Sequence, residues 1–277
     1  MKETPPIIIE ADELERHLGE PNLLIVDLCQ SQLYARMHIP GAVHVDYSDI
    51  VSSRGPVSGL LPSEEQFSDV LSQIGFTDEK HIVTYDEEGG AKAARMLWTL
   101  AAFGLEGHSL LNGGLHAWVN EGHPLEHKPS TPTPSDYHAH YRGEVVADRD
   151  YIAARLNDGA VLLIDARTEH EYHGRDVRAA RGGRIPGAKH FEWTRALDQG
   201  KNLRLREEQE LLSELEALGA TPEKEIICYC HTHHRSAHTW AMLKHLGFTN
   251  VKGYEGAWSD WGNTPHLPVE KGDNANS

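Results

Sequence analysis

Residues Cys230, His231, Thr232, His233, His234, Arg235 and Ser236 are consecutive. Together they offer a sulfur nucleophile, a permanent cation and three imidazoles. The short apolar run Ile226–Tyr229 before them reads as a strand covered on both faces, and Arg235–Leu246 after them reads as a helix. At such a junction backbone N–H groups are free to surround an anion. A thiol placed there feels the helix dipole and the Arg235 guanidinium, which lower its pKa from about 8.5 into a range of roughly 3.5–7.5. Cys230 is therefore expected to be a thiolate at neutral pH and a nucleophile. The competing possibility, a buried and inert Cys at a strand end, does not account for a cradle, an Arg and a strand-to-helix junction falling together.

The elements that position this loop come in two copies. Leu24-Ile25-Val26-Asp27 returns as Leu162-Leu163-Ile164-Asp165, and Ile39-Pro40-Gly41-Ala42 returns as Ile185-Pro186-Gly187-Ala188. Gly75 through Asp86 returns as Gly219 through Cys230, and Gly104 as Gly247. Matched blocks in one order make the chain two copies of one domain. Within each copy short apolar runs alternate with helical patterns: Ser63-x-x-Gln66 has the spacing of a capping box opening a helix that closes at Gly75, and Glu207–Leu218 is its counterpart. Strand–helix alternation implies an α/β fold, each copy a largely parallel sheet with helices on both faces. The Pro-rich run Pro124 to Pro134 suits an extended connector. The expected division is a first domain over 1–124, a linker over 125–144 and a second domain over 145–277.

Composition narrows the function classes. With 26 Lys+Arg against 42 Asp+Glu the formal charge is −16, which argues against a general nucleic-acid or anionic-membrane binder. Three Cys cannot make a disulfide framework, so a reducing compartment, the cytoplasm, is expected. No apolar stretch approaches membrane-spanning length.

Ile185-Pro186-Gly187-Ala188 following Asp165-Ala166-Arg167, then a strand ending in Cys230-x-x-x-x-Arg235, resembles a tandem rhodanese. The Cys-x-Thr-His-His-Arg form is similar to the loop of bacterial thiosulfate:cyanide sulfurtransferases. The resemblance spans essentially the whole chain, including Trp258-Ser259-Asp260-Trp261-Gly262. It implies a ping-pong reaction: the Cys230 thiolate takes the outer sulfur of thiosulfate as a persulfide, and cyanide or a thiol, including that of a thioredoxin-like protein, removes it. A two-step transfer needs a good nucleophile that is also a good leaving group, which a thiolate is. Arg235 is then assigned to donor recognition and charge stabilisation, the backbone amides of His231–Ser236 to the cradle, and His233 and His234 to the mouth of the site. No cofactor is expected, and a monomer is the expected state.

Other activities weigh less. Cys-dependent phosphatases and arsenate reductases carry a loop one residue longer, which fits a tetrahedral phosphate over the sulfur. The loop also lacks the Cys-Gly-Ser-Gly form associated with mercaptopyruvate sulfurtransferases. Cys228, Cys230, His231, His233, His234 and His238 form a dense set of metal-ligand types, but strand alternation turns Cys228 into the core, away from the loop. Cys29, ending the first strand, is expected to be a core residue.

In the first copy Asp86 stands where Cys230 does, followed by Glu87, Glu88 and, near the Arg235 position, Lys92. A carboxylate cannot carry a persulfide, so this copy is expected to be inactive. Asp165 and Arg167 are expected to form a structural pair. Glu171 falls where relatives carry a substrate-binding Arg. The stretch 173–184 of the second copy, with Arg175, Arg178, Arg181 and Arg184, is longer than its counterpart and is a candidate for attracting anionic donors.

Overall fold

A computed structural model describes residues 6–272. The first copy runs β1 (Ile8–Ile9), α1 (Ala11–Arg16), β2 (Leu23–Asp27), α2 (Ser31–Tyr34), β3 (Val43–His44), β4 (Ser52–Arg54), β5 (Val57–Leu60), α3 (Glu64–Gln73), β6 (His81–Tyr85), α4 (Ala91–Ala102), β7 (His108–Leu111) and α5 (Gly114–Asn120). The second repeats that order: β8 (Val146–Ala147), α6 (Arg149–Ala153), β9 (Val161–Asp165), α7 (Glu169–Tyr172), β10 (Lys189–His190), β11 (Leu197–Asp198), β12 (Arg204–Leu205), α8 (Glu208–Ala217), β13 (Glu225–Tyr229), α9 (Arg235–His245), β14 (Val251–Tyr254) and α10 (Ala257–Trp261).

Each copy folds a five-stranded sheet with the same strand order, β1-β7-β6-β2-β3 in one and β8-β14-β13-β9-β10 in the other. All pairings within these sheets are parallel; β13 lies along β9 with Tyr229 beside Asp165, and β6 along β2 with Tyr85 beside Asp27. Parallel strands buried on both faces explain the continuous apolar runs. On one face of the first sheet Ile25, Val83 and Leu111 pack against Leu14 of α1 and Leu115 and Trp118 of α5. On the matching face of the second sheet Leu163, Ile227 and Tyr229 meet Ile152, Trp258 and Trp261. The helices after the third matched block, α4 and α9, pack on β6 and β7 and on β13 and β14.

The helix expected at Ser63 forms, with Ser63 Oγ accepting the Gln66 N–H at 3.1 Å and Gly75 ending it at φ +71°. The reciprocal half of the capping box does not form, because Gln66 Nε2 donates instead to the Asp49 carbonyl at 2.8 Å. A complete capping box occurs elsewhere, at Thr168 and Glu171.

The compact units cut across the contiguous division read from the sequence. Of the described residues, one unit gathers 6–51, 61–143 and 197–205; the other gathers 52–60, 144–196 and 206–272. The antiparallel hairpin β4–β5 thus belongs with the second sheet, and the hairpin β11–β12 with the first. The Pro-rich stretch and the residues that follow it to 143 belong to the first unit too, and beyond Pro134 the backbone N–H groups of Ser135, Ala139 and Tyr141 donate to Ser72, Ser68 and Glu64 on α3. Among the described residues no helix is long and apolar enough to cross a membrane.

Candidate active site

Position relative to the strand end separates two cysteines. Cys228, inside β13, points into the core and burial pushes its thiol up. Cys230, just past the strand end, heads the loop that turns into α9. The backbone reverses there through His233, at φ +51°, and the first turn of α9 follows at Arg235. The loop is held from below by α10, where the Trp258 N–H donates to the Cys230 carbonyl at 3.0 Å and the Ser259 N–H to the His231 carbonyl at 2.9 Å. It is held from above by β5. Ser259 Oγ accepts the Ser58 N–H and shares its one hydrogen between the carbonyls of Gly256 and Ser58, at 2.8 and 3.0 Å, which brings Gly59, at φ +74°, so close that a Cβ there would collide with the Thr232 carbonyl oxygen.

Cys230 is fully buried, which by itself would push the thiol up. The Arg235 charge, the Ser236 hydroxyl and N–H and the Thr232 N–H act against burial and outweigh it, so the thiol lies below its ordinary value. These are the interactions that lower a thiol pKa. Cys29 goes the other way: burial and the nearby Asp27, Glu87 and Asp86 push it up. Of the three free cysteines, Cys230 is the one whose thiol is lowered, and Cys29 and Cys228 are both raised.

Arg235 does not reach out of the loop unpaired. Its two terminal nitrogens grip Glu171, Nη1 to Oε2 at 2.7 Å and Nη2 to Oε1 at 2.9 Å. Glu171 is itself buried and fixed by the Thr168 cap. Burial works against its charge, but the Arg235 hydrogen bonds hold its carboxyl down at about 2. The residue standing in place of an expected Arg is thus the clamp on the loop's own Arg. The clue was the Thr168-x-x-Glu171 spacing, which is short-range and says nothing of a partner in α9.

The other loop residues separate. His231 is half-buried, and burial together with Arg167, Arg235 and Arg178 lowers its pKa against the pull of Glu171. Thr232 contributes its N–H to the sulfur, and His234 is the residue before α9. His233 corrects the expectation of a mouth residue: it is completely buried, with Nδ1 2.7 Å from Ser236 Oγ. The tight turn to positive φ folds its ring inward.

Asp165 and Arg167 form the expected pair, with Arg167 Nε 2.9 Å from Asp165 Oδ1 and the guanidinium stacked over Trp258. The Arg-rich insertion divides. Arg181 donates to the carbonyls of Trp261 and Leu267, among others, and the buried Arg184 pairs with Glu270, so both anchor the C-terminal segment. Arg178 is half exposed, bonded to Asp176 and 3.7 Å from Glu171, which places this part of the insertion beside the loop. Among the described residues no three or more His, Cys, Asp or Glu side chains are grouped to hold a metal ion.

Residues 10–121 and 148–264 each match the Rhodanese-like domain family. The chain belongs to the rhodanese family. It is 42% identical over 265 residues to a thiosulfate sulfurtransferase of Azotobacter vinelandii, covering 96% of this chain and 97% of that protein. A thiosulfate sulfurtransferase of Pseudomonas aeruginosa is 40% identical over the same shares. Among solved structures, SseA of Escherichia coli, described as a 3-mercaptopyruvate sulfotransferase with the rhodanese fold, superposes with a TM-score of 0.82 at 28% identity, over 92% of this chain and 99% of that one.

The first rhodanese-like copy builds the same cradle and fills it with its own side chain. Asp86 Oδ1 accepts the Glu88 and Gly90 N–H groups, each at 2.8 Å, and Oδ2 accepts the Ala93 N–H at 2.9 Å. The Leu115 N–H meets the Asp86 carbonyl as the Trp258 N–H meets that of Cys230. Lys92 is spent on Glu87 and Glu88, at 2.9 and 3.0 Å. A buried carboxylate satisfied by backbone donors is a stable plug.

Proposed function

We propose that the protein is a thiosulfate sulfurtransferase working through a Cys230 persulfide. The observation that carries this reading is a buried cysteine held below its ordinary pKa inside a ring of N–H and O–H donors, in a chain with thiosulfate sulfurtransferases among its relatives. The Cys230 thiolate attacks the outer sulfur of thiosulfate. A bond forms between the two sulfurs, the sulfur–sulfur bond of thiosulfate breaks, and its electron pair leaves with sulfite. The terminal sulfur of the persulfide carries the negative charge, and the donors that steadied the thiolate surround it. Cyanide or an acceptor thiolate then attacks the terminal sulfur, and the electron pair of the Cys–sulfur bond returns to Cys230. Arg235, fixed by Glu171, serves as a positioned charge behind the sulfur, and the backbone amides of His231–Ser236 serve as the cradle. The first copy, its cradle plugged by Asp86, takes no sulfur. Three free, buried thiols suit the reducing cytoplasm.

Incubation with thiosulfate is expected to add one sulfur to the intact protein mass, and cyanide is expected to remove it as thiocyanate. A mass unchanged by thiosulfate refutes the reading. A mass gained from mercaptopyruvate and not from thiosulfate assigns the chain to the donor class of its E. coli structural relative.

Gly59→Ala tests the roof of the loop. The new methyl group meets backbone, not a yielding side chain, in a conformation that costs a non-Gly residue about 1–2 kcal/mol. Thr232 must shift, and displacements near 1 Å at a reacting centre cost on the order of a hundredfold in rate. Steady-state thiocyanate formation is expected to fall by at least about tenfold, with the protein still folded by circular dichroism.

A further inference from the structure

His233 is the one loop residue whose backbone is strained. At φ +51° it occupies the left-handed region, which disfavours side-chain-bearing residues by about 1–2 kcal/mol, and strain of this kind persists where the surroundings over-determine it. The return is a buried contact: His233 and Ser236 are both 0% exposed, with Nδ1 and Oγ 2.7 Å apart. The Ser236 hydroxyl also hydrogen-bonds to Cys230.

A hydroxyl has one hydrogen and two lone pairs, so it can donate to only one of these neighbours. A thiolate can only accept. If the hydroxyl donated to Nδ1, the sulfur would face an oxygen lone pair. If Nδ1 carries the hydrogen and donates to Oγ, the Ser236 hydrogen is left for the sulfur.

We propose that His233 is a positioning residue: its Nδ1–H donates to Ser236 Oγ and thereby aims the Ser236 O–H at the Cys230 sulfur. The inference rests on Cys230 being the nucleophile and gives the hydroxyl two moments of use. It steadies the attacking thiolate, and it receives the charge that returns to the same sulfur when the acceptor departs with the outer one. The other titratable or charged groups acting on the sulfur, Arg235 or His231 include Cys228 beneath the loop, Glu171 on α7, Asp165 at the end of β9, Arg167 just after it, and Arg178. They are constant across the variants below.

Two substitutions separate the donor from the backbone shape. His233→Asn tolerates the left-handed conformation and ends in an N–H near the position of Nδ1. His233→Gly tolerates it and has no donor. Thiolate absorbance is titrated against pH for each, with Cys230→Ser as the blank. Asn is expected to keep the wild-type midpoint, and Gly to raise it by about one pH unit, a tenfold smaller thiolate fraction below the midpoint. Ser236→Ala is expected to raise it similarly and, once in place, to make Asn and Gly at 233 indistinguishable. The proposal is overturned if Gly keeps the wild-type midpoint, if Asn shifts as far as Gly, or if the two still differ beside Ser236→Ala. The titration uses no sulfur donor, so it judges His233 separately. Failure of the sulfur-transfer reading shows instead as a wild-type protein that gains no mass from thiosulfate.

Discussion

Cys230→Ser is expected to abolish both the thiosulfate-derived gain in mass and the formation of thiocyanate, lowering turnover by at least about three orders of magnitude. Serine keeps the shape of the loop and its hydrogen bonds. Its hydroxyl stays protonated in the same cradle, and oxygen cannot take part in the sulfur exchange that defines a persulfide. Neither remaining cysteine can substitute. Cys228 and Cys29 are buried and their thiols are pushed up, Cys29 further by three carboxylates; a protonated thiol is not a nucleophile. Cys29→Ser and Cys228→Ser are accordingly expected to retain the sulfur gain, with any loss confined to packing stability. If Cys230→Ser still acquires a cyanide-removable sulfur, the assignment of the nucleophile is wrong.

Glu171→Gln has the second largest expected effect, and its two consequences differ in kind. Removing one partner of a buried ion pair leaves Arg235 without its counter-charge, at a cost of about 3 kcal/mol in folding stability. The same change removes a negative charge from beside the thiolate, so Cys230 is expected to ionise at lower pH than in the wild type. Urea unfolding measures the first and thiolate titration the second. The wild-type pH dependence follows from the carboxyl. Its pKa in the folded protein is about 2, against an ordinary value of 4.5, so the unfolded chain binds the proton more readily. The stabilisation is therefore fully present above about pH 4.5 and fades as pH falls toward about 2. Glu171→Gln should lose this acid-sensitive component, and the wild-type and variant stabilities should converge as pH is lowered. Parallel stability curves down to the acid limit would show that the pair contributes nothing.

The duplication, the parallel sheets and the place of Cys230 between a strand and a helix were legible in the sequence, because each rests on local patterns: matched blocks, short apolar runs and a loop joining a strand to a helix. What was not legible depended on pairings distant along the chain or on the turn of a single residue. Glu171 read as the loss of a positive charge, since nothing near it names Arg235 as its partner. His233 read as a mouth residue, since a run of His in a loop looks solvated until one positive φ turns a ring inward. Asp86 read only as a missing thiol, whereas three backbone N–H groups make it the occupant of an intact cradle. Arg178 and Arg181 read alike, yet Arg181 is spent on backbone carbonyls and only Arg178 stands near the loop.

The crossed hairpins make the Cys230 loop depend on residues from both halves of the chain. Residues 52–60 are encoded in the first half of the chain but form part of the unit that holds Cys230, and residues 197–205 make the opposite journey. A shortened chain beginning at the second repeat would retain the thiol and lose the glycine roof over Thr232. A change at residues 52–60, in the first half of the sequence, is therefore expected to be felt at the Cys230 loop, whatever the first half does itself.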